Sequence, residues 1–246
     1  MFPYLLYLQY LTFTNFGKGN AADFTTEHCF AMKSVSLLRF CNRVCGASQT
    51  SKQEASEIIA YFDTIPFAWF SHNADAVQSN ILEQAGLHPI TSFPAMILPL
   101  DYLKTANYKP GVTVQEITHA SGMALWLSII IGSYTITAPL EFEKFINVLK
   151  LRTLQTGIRF YCGFYEGIPV AASVLIYHGD TVGLHWVGTL PEYRGKGIGY
   201  AVSYQPLLDA QKGGCKNALL LSSPMGRSVY ESIGFKEYAH YTVYGK

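Results

Sequence analysis

The residues with the plainest chemical meaning form one string, Val187-Gly-Thr-Leu-Pro-Glu-Tyr-Arg194-Gly-Lys-Gly197-Ile-Gly199. An apolar, strand-like stretch ends, and glycines then bring successive backbone N–H groups together where a helix opens. The first amides of a helix have no partner inside it, and the helix dipole puts positive charge at the same end. The string therefore has the makings of an anion cradle suited to phosphate. Gly195, Gly197 and Gly199 would let the backbone approach a ligand closely. The plain alternative is a glycine-rich turn that only joins a strand to a helix. Two other phosphate motifs fit less well. No Gly-x-x-x-x-Gly-Lys-Ser/Thr string occurs. The dinucleotide fingerprint requires Gly-x-Gly-x-x-Gly in a parallel strand–helix–strand unit. Here the glycines run Gly195-x-Gly197-x-Gly199 among sequential hairpin-like strands, and no acidic residue ends a second parallel strand about 20 residues on.

Five cysteines stand at positions 29, 41, 45, 162 and 215. The number is odd and the spacings match no disulfide or zinc framework. Cys41 and Cys45 are four apart, but no second Cys or His pair completes a tetrahedral site, so no metal is expected. Free thiols fit a reducing compartment, which makes the chain an expected cytoplasmic protein. Its 18 basic residues face 17 acidic ones, for a net charge of +1. That balance argues against a nucleic-acid partner held by bulk charge. Charged residues are 14% of the 246 and apolar ones 49%, against about 25% charged in a typical soluble chain. Such a composition can bury a large core, which argues against disorder. It also points to extra buried surface, such as a homodimer interface. The longest apolar stretch, residues 122–136, is interrupted by Ser128, Gly132 and Ser133. It falls short of the roughly 20 apolar residues a spanning helix needs, so no membrane is expected. Residues 1–13 are apolar but lack a basic leader and a small-residue cleavage site, and they read as structure rather than a signal peptide.

A cradle needs a strand before it and a helix after it. Residues 159–165 and 169–177 read as strands joined by Glu166-Gly167-Ile168, and residues 181–189 as a third strand. The helix opened by the glycines runs to about residue 211, although Pro206 inside it should kink or end it. A buried strand (218–221), a short helix (224–232) and a final strand (238–244) follow. Upstream, the turn cluster Asn107-Tyr-Lys-Pro-Gly111 is the best domain boundary, separating residues 1–109 from 112–246. A strand at 112–117, a buried helix at 120–131 and a helix at 139–149 come after it. The last of these has Phe142, Phe145, Ile146 and Leu149 on one face. Before the boundary, residues 2–13 read as a strand or a helix and 15–20 as a loop. Ala55, Ile58, Ile59 and Phe62 mark a helix over 53–62, with Ser51 and Glu54 set for a capping box. A short strand (67–70), a helix (75–84) closed by Gly86 and a strand (95–100) complete this part. The expected fold is mixed α/β, with no internal repeat at a short period.

Two strings together resemble the GNAT N-acetyltransferase superfamily. Arg194-x-x-Gly197-x-Gly199 is similar to its pyrophosphate-binding signature. Ser222-Ser-Pro-Met-Gly226-Arg-Ser-Val-Tyr230-Glu-Ser-Ile-Gly234-Phe235 is similar to its second motif, in which a tyrosine and a Gly-Phe pair follow the fifth strand. The resemblance covers residues 112–246 and implies a GNAT fold. It also implies transfer of an acetyl group from acetyl-CoA to an amine. The backbone of Val187 and Thr189 would then pair with the pantetheine arm like an added strand. The amides of Gly195, Lys196, Gly197, Ile198 and Gly199, helped by the side chains of Arg194 and Lys196, would hold the pyrophosphate. Ser223 stands in the cofactor-binding second motif, where many relatives have an asparagine-containing helix start. Its Ser-Pro-Met-Gly form resembles a subset of the superfamily. Tyr230 would act as general acid toward the departing thiolate or steady it by a hydrogen bond. The alternative for Tyr230 is a core tyrosine beside Phe235. His185 shares a strand face with Gly183 and Val187 and is one candidate general base, its ordinary pKa being about 6.5. The alternative is a half-buried, satisfied histidine. Glu192 reads as a solvated loop residue or one that tunes local charge. Direct attack by the amine is expected rather than a covalent intermediate, because Cys162 and Cys215 lie outside both motifs.

In the N-terminal part, Phe40-Cys-Asn42-Arg-Val44, Pro66-Phe-Ala-Trp69-Phe70 and Leu82 through Gly86 to Pro94-Ala-Met96 resemble a degenerate, partial GNAT half. Tandem-type members of the superfamily carry such a half before the active domain. It has no Arg-x-x-Gly-x-Gly string and so no cradle, and its expected role is a structural partner that walls the acceptor site. An unrelated α/β extension is the alternative. The function these readings imply is an acetyl-CoA-dependent N-acetyltransferase acting on a small-molecule or protein amine. A non-catalytic acyl-CoA-binding or sensor module is the rival, and transfer of bulkier acyl groups a third reading. Residues 133–139 carry no cluster of charge, which argues against a polycationic or polyanionic acceptor.

Overall fold

The computed structural model describes residues 22–246 except 35, 47–48, 74–75, 107 and 151–156. The sequence readings at residues 2–13 and 15–20 lie outside the described residues. The first half of the chain runs β1 (Ala22–Thr25), β2 (Cys29–Lys33), β3 (Arg43–Gly46), α1 (Lys52–Phe62), β4 (Ala68–His72), α2 (Ala76–Gln84) and β5 (His88–Pro99). The second half runs β6 (Val112–Ile117), α3 (Ala120–Tyr134), α4 (Pro139–Lys150), β7 (Ile158–Tyr165), β8 (Ile168–His178) and β9 (Thr181–Thr189). It ends with α5 (Ile198–Lys212), β10 (Asn217–Leu221), α6 (Arg227–Ile233) and β11 (Lys236–Gly245). No described helix is long and apolar enough to cross a membrane.

The chain forms two compact units, and their division does not follow the turn at residues 107–111. One unit gathers the described part of Met1–Ala95 with Leu140–Arg152 and Tyr238–Lys246. The other gathers Met96–Pro139 with Thr153–Glu237. Turn composition marks where the chain bends, not which sheet a later strand joins.

In the first unit, β1, β2 and β3 form antiparallel ladders, and α1 returns the chain so that β4 lies parallel to β3. Strand β11 adds antiparallel to β4, with Tyr241 opposite His72 and Tyr244 opposite Trp69. The β3–β4 ladder uses all of β3, from Arg43 opposite Ala68 to Gly46 opposite Ser71. The core is Ile58, Phe62, Phe67, Trp69, Leu82 and Tyr244, so the helical spacing at residues 53–62 and the strand at 67–70 are both where the sequence puts them. Helix α2 stops because Gly86 takes φ +84°. The Leu87 amide then reaches the Leu82 carbonyl (3.0 Å) and the Gly86 amide the Glu83 carbonyl (2.9 Å), a Schellman closure. On α4, the side chain of Phe142 is buried and tilted against Phe40 at 5.8 Å. The other three residues expected on its face have no described side chains.

The capping box at α1 is complete. The Glu54 amide donates to the Ser51 hydroxyl (3.1 Å), and the Glu54 carboxylate accepts from the Ser51 amide (2.9 Å). The same carboxylate accepts from the His28 amide at 3.1 Å and pairs with His28 Nδ1 at 3.2 Å.

In the second unit the sheet order is β5-β10-β9-β8-β7-β6, with antiparallel ladders from β6 to β9 and a parallel one between β9 and β10. Glu166 (φ +51°) and Gly167 (φ +81°) form the tight turn between β7 and β8. Ile168 already pairs with Tyr165, so that turn has two residues rather than three. The core lies where α5 covers β7, β8 and β9, around Ala171, Leu175, Leu184, Ile198, Val202 and Leu207. Pro206 does not end α5, which runs on to Lys212. The carbonyl four residues earlier, Val202, has lost its helical donor to the proline. It accepts instead from the buried Ser173 hydroxyl of β8 at 2.7 Å. One hydrogen bond from the sheet thus replaces the missing one.

The stretches β1–β5 and β7–β11 share one element order along the chain: three antiparallel strands, a helix, a strand parallel to the third, a helix, a strand.

Glu54 links this architecture to pH. Desolvation raises its pKa, but the bonds from the Ser51 amide and hydroxyl, the Thr26 hydroxyl and the His28 amide outweigh it and bring it down to about 2, against 4.5 ordinarily. A depressed carboxylate contributes stability that is complete above its ordinary pKa and fades as the pH falls toward the folded value. Glu54→Gln keeps the capping shape but removes the charge, and is expected to lower stability by about 1 kcal/mol at pH 7, the difference between a charge-assisted hydrogen bond and a neutral one. In thermal melts the gap between wild type and variant should shrink between pH 4.5 and pH 2. A gap that stays constant across that window would count against the assignment.

Candidate functional site

Strand β9 leads into the glycine string and is irregular where it matters. The β8–β9 ladder pairs Val174 with His185 and Ala172 with Gly188, so Trp186 and Val187 together face Ser173. This is a β-bulge, with Trp186 at φ +51°. Opposite the bulge, the Ser173 carbonyl accepts the Trp126 indole N–H from α3 at 2.8 Å. The bulge corrects one sequence expectation. It flips the alternation, so His185 shares its face with Gly183 and Gly188 rather than with Val187. Val187 packs instead against the core under α5.

On its other side, β9 pairs with β10 for three residues only. Thr181, Val182 and Gly183 face Asn217, Ala218 and Leu219. Beyond Gly183, β9 continues to Thr189 and β10 to Leu221 with no pairing between them among the described residues. Strand β9 thus has a backbone edge open over the residues that precede the glycines.

At the end of that edge, Gly195 (φ +76°) and Gly197 (φ +79°) take backbone conformations that other residues rarely adopt. Gly197 is the N-cap of α5 and offers no side chain to its amides. Among the described residues, no backbone carbonyl accepts from the amides of residues 195–199. The Ile198 side chain is buried in the core, leaving only its amide at the turn. Gly199 lies close to Thr189, whose Oγ1 would be 3.5 Å from a Cβ there.

Three cations surround this turn. Arg194 is committed to the protein: Nε donates to the Thr189 carbonyl (3.1 Å) and Nη2 to the Ser133 carbonyl (2.8 Å). It therefore ties the C-terminal end of α3, the negative end of its dipole, to the end of β9. Gly188 allows that approach, since a Cβ there would run into the Ser133 hydroxyl. The Lys196 ammonium lies over the rings of Tyr165 (4.8 Å) and Tyr193 (5.1 Å). The third cation, Lys109, was not singled out in the sequence. Its stem lies 3.1–3.4 Å from where a Gly197 Cβ would be, and Nζ reaches the Gly195 carbonyl at 3.4 Å. Its neighbour Tyr108 is fixed by a 2.8 Å bond to Gln205 of α5. Glu192, in the short 3-10 turn Pro191–Tyr193, is exposed.

Past β10, Ser223 is exposed and its hydroxyl accepts the Gly226 amide (3.2 Å), shaping the start of α6. Helix α6 closes as α2 does. The Phe235 amide reaches the Tyr230 carbonyl (3.0 Å) and the Gly234 amide the Glu231 carbonyl (3.1 Å), with Gly234 at φ +124°. The apolar contact that accompanies such a closure is Tyr230 edge-on to Phe235 at 6.0 Å. That gives the tyrosine and the Gly-Phe pair a shared structural reason. The Tyr230 ring also lies on Gly226, where a Cβ would meet it at 2.8 Å. Burial pushes the Tyr230 hydroxyl pKa up, with Tyr134 adding to it.

Tyr134, at the last turn of α3, was also missed in the sequence. Its hydroxyl donates to the Val187 carbonyl at 2.9 Å and its ring lies edge-on to Trp186 at 5.8 Å. His185 is half-buried, with Nε2 buried over Gly183: a Cβ at Gly183 would lie 2.6 Å from it. All five cysteines are buried, and none of them forms a disulfide among the described residues. No group of three or more His, Cys, Asp or Glu among the described residues could hold a metal ion.

No protein-family model and no curated protein matches the chain. Solved structures do. A GCN5-related N-acetyltransferase from Kribbella flavida matches 98% of this chain and 95% of its own length, with a TM-score of 0.74 at 14% identity. Another, from Sphaerobacter thermophilus, matches 89% and 80% with a TM-score of 0.66 at 12% identity. A tandem GNAT protein from the clavulanic acid biosynthesis pathway matches 96% and 87% with a TM-score of 0.61 at 10% identity. At such identities the likeness is one of fold. The chain has the mixed α/β fold of GNAT acetyltransferases over nearly its whole length.

Because Arg194 works through a planar fork, its charge alone is not enough. Arg194→Lys is expected to lower the melting temperature, at a cost of about 1–2 kcal/mol for the bond that cannot be remade. Unchanged melting in Arg194→Lys would rule out the clamp between α3 and β9.

Proposed function

We propose that this chain, having the GNAT acetyltransferase fold, binds acetyl-CoA and transfers the acetyl group by direct attack of an amine on a small molecule or protein. One observation carries the reading: the β9–β10 ladder stops at Gly183, and the open edge of β9 leads straight to an uncapped, glycine-built helix start. An extended amide-bearing arm suits the edge, and a pyrophosphate suits the amides.

Acetyl-CoA would supply the acyl group as an activated thioester. The amides of residues 195–199 would hold its pyrophosphate, with Lys109 and Lys196 lending charge. Arg194 would act by holding the turn in place. The main chain of Val187 and Thr189 would line the pantetheine arm. Transfer makes an N–C bond and breaks an S–C bond. An amine attacks only when neutral, so its proton must leave, to His185 or along a water chain. Tyr230 would face the sulfur. With its pKa raised by burial, far above the roughly 8.5 of an ordinary thiol, it is suited to steadying the thiolate by a hydrogen bond rather than giving its proton up completely.

One observation favours a second reading, a non-catalytic acyl-CoA-binding or sensor module. His185 turns Nε2 onto Gly183, where it is buried, and this is not the posture of a base waiting for a proton. Turnover separates the two readings.

In isothermal titration the wild type should bind acetyl-CoA and Gly197→Glu should not. That substitution puts a carboxylate at the turn and a side chain on a residue at φ +79° beside Lys109. Unchanged affinity would refute the cradle. Tyr230→Phe should keep the affinity while slowing thiol release with an amine panel roughly 10- to 100-fold, the value of one hydrogen bond to a charged group. Binding without turnover on any amine would select the sensor module.

A further inference from the structure

The Val187 carbonyl is one of two acceptors that the proposed function assigns to the pantetheine arm, and the protein already fills it, as Arg194 fills that of Thr189. Tyr134 donates to the Val187 carbonyl at 2.9 Å. Neither partner is there by accident of a loose side chain. Val187 belongs to the bulge, where Trp186 at φ +51° departs from regular strand geometry and Trp126 fixes the opposite strand. Tyr134 is held on the other side. Its backbone neighbour Ser133 is tied by its carbonyl to Arg194 and fits its side chain over Gly188, and its own ring rests against Trp186. Even so, 48% of Tyr134 is exposed, so the ring has solvent to swing into. The next residue, Thr135, sits at φ +51° and ends the helix, which leaves Tyr134 on its last turn.

We propose that Tyr134 is a positioning residue of the acyl-donor site. In the free protein its hydroxyl bonds the Val187 carbonyl in place of a ligand amide, and it must yield that carbonyl when a pantetheine arm lies along β9. This inference rests on the acetyl-CoA reading above. Exchange of one hydrogen bond for another makes arm binding weaker than the open edge alone would allow, because the bond to Tyr134 is lost as the new one forms. It also closes the edge against other extended chains, since an unpaired strand edge is a template for unwanted pairing. The cradle is untouched by the exchange. A ligand that carries the phosphates but no pantetheine does not compete with Tyr134.

Tyr134→Phe keeps the ring against Trp186 and removes only the donor. It is expected to bind acetyl-CoA about 2- to 10-fold more tightly than wild type, the value of one net hydrogen bond. Adenosine 3′-phosphate 5′-diphosphate, which lacks the arm, should bind wild type and variant alike. A melting curve within a few degrees of wild type shows that the fold is kept, and Tyr134→Leu, lacking ring hydroxyl and ring, gives a second measure in which the preference for acetyl-CoA over the nucleotide must again rise. If wild type binds both ligands and neither variant raises that preference, the role of Tyr134 is overturned while the cradle stands. If wild type binds neither ligand, the acetyl-CoA reading falls and this role with it.

Discussion

The early end of one parallel ladder organises the second unit. After Gly183 and Leu219, strands β9 and β10 stop sharing hydrogen bonds, and backbone groups left unpaired are costly unless something answers them. Much of the surrounding structure can be understood as an answer. The bulge at Trp186 and Val187 redirects β9. Trp126 secures the strand behind it, Tyr134 takes the Val187 carbonyl, and Arg194 takes that of Thr189. The glycines then turn the chain into α5. A regular, fully paired sheet here would have needed none of these residues and would have offered no edge to an extended ligand.

Electrostatics at the turn follow the same economy. The three basic side chains are not a free positive patch. Arg194 is spent on carbonyls and Lys196 on two aromatic rings, while Lys109 reaches across from the segment before β6. In the proposed reading, the attraction for an anion would come first from oriented amides and the dipole of α5. Tyr230 is placed by different means. A helix closure at Gly234 and Phe235 and the bare surface of Gly226 fix its ring, so its position depends on packing rather than on a hydrogen bond.

Much of this could be read in the sequence because the signals were local. Ser51 and Glu54 mark a helix start, Gly86 marks a helix end, and residues 181–189 read as a strand. The glycine-built helix start is legible for the same reason: positive φ at residues 195 and 197 shows as glycine. What escaped depended on contacts distant in sequence. Lys109 sits in a turn that composition marks only as a boundary, 86 residues from Gly195. Tyr134 ends an apolar helix with nothing to distinguish it from a core residue. The bulge leaves no glycine at Trp186, so the face of Val187 was misassigned. Pro206 looked like a helix breaker because Ser173, which takes the place of its missing donor, lies 29 residues from Val202 on another strand. The sorting of β11 into the first unit is likewise a matter of ladders, not of turns.

The stretches β1–β5 and β7–β11 repeat an element order but treat their first crossover helices in opposite ways. Helix α5 begins with glycine, which offers no side chain to its first amides. Helix α1 begins with Ser51 and folds the Glu54 carboxylate back over its own start, among the amides of Ser51 and His28. Its strand ladder runs to the end of β3, and Leu82 stands where Tyr230 stands in α6, four residues before the closing glycine. The first unit therefore carries its own permanently attached counter-ion. Where one helix start leaves its amides to the surroundings, the other answers them from its own chain.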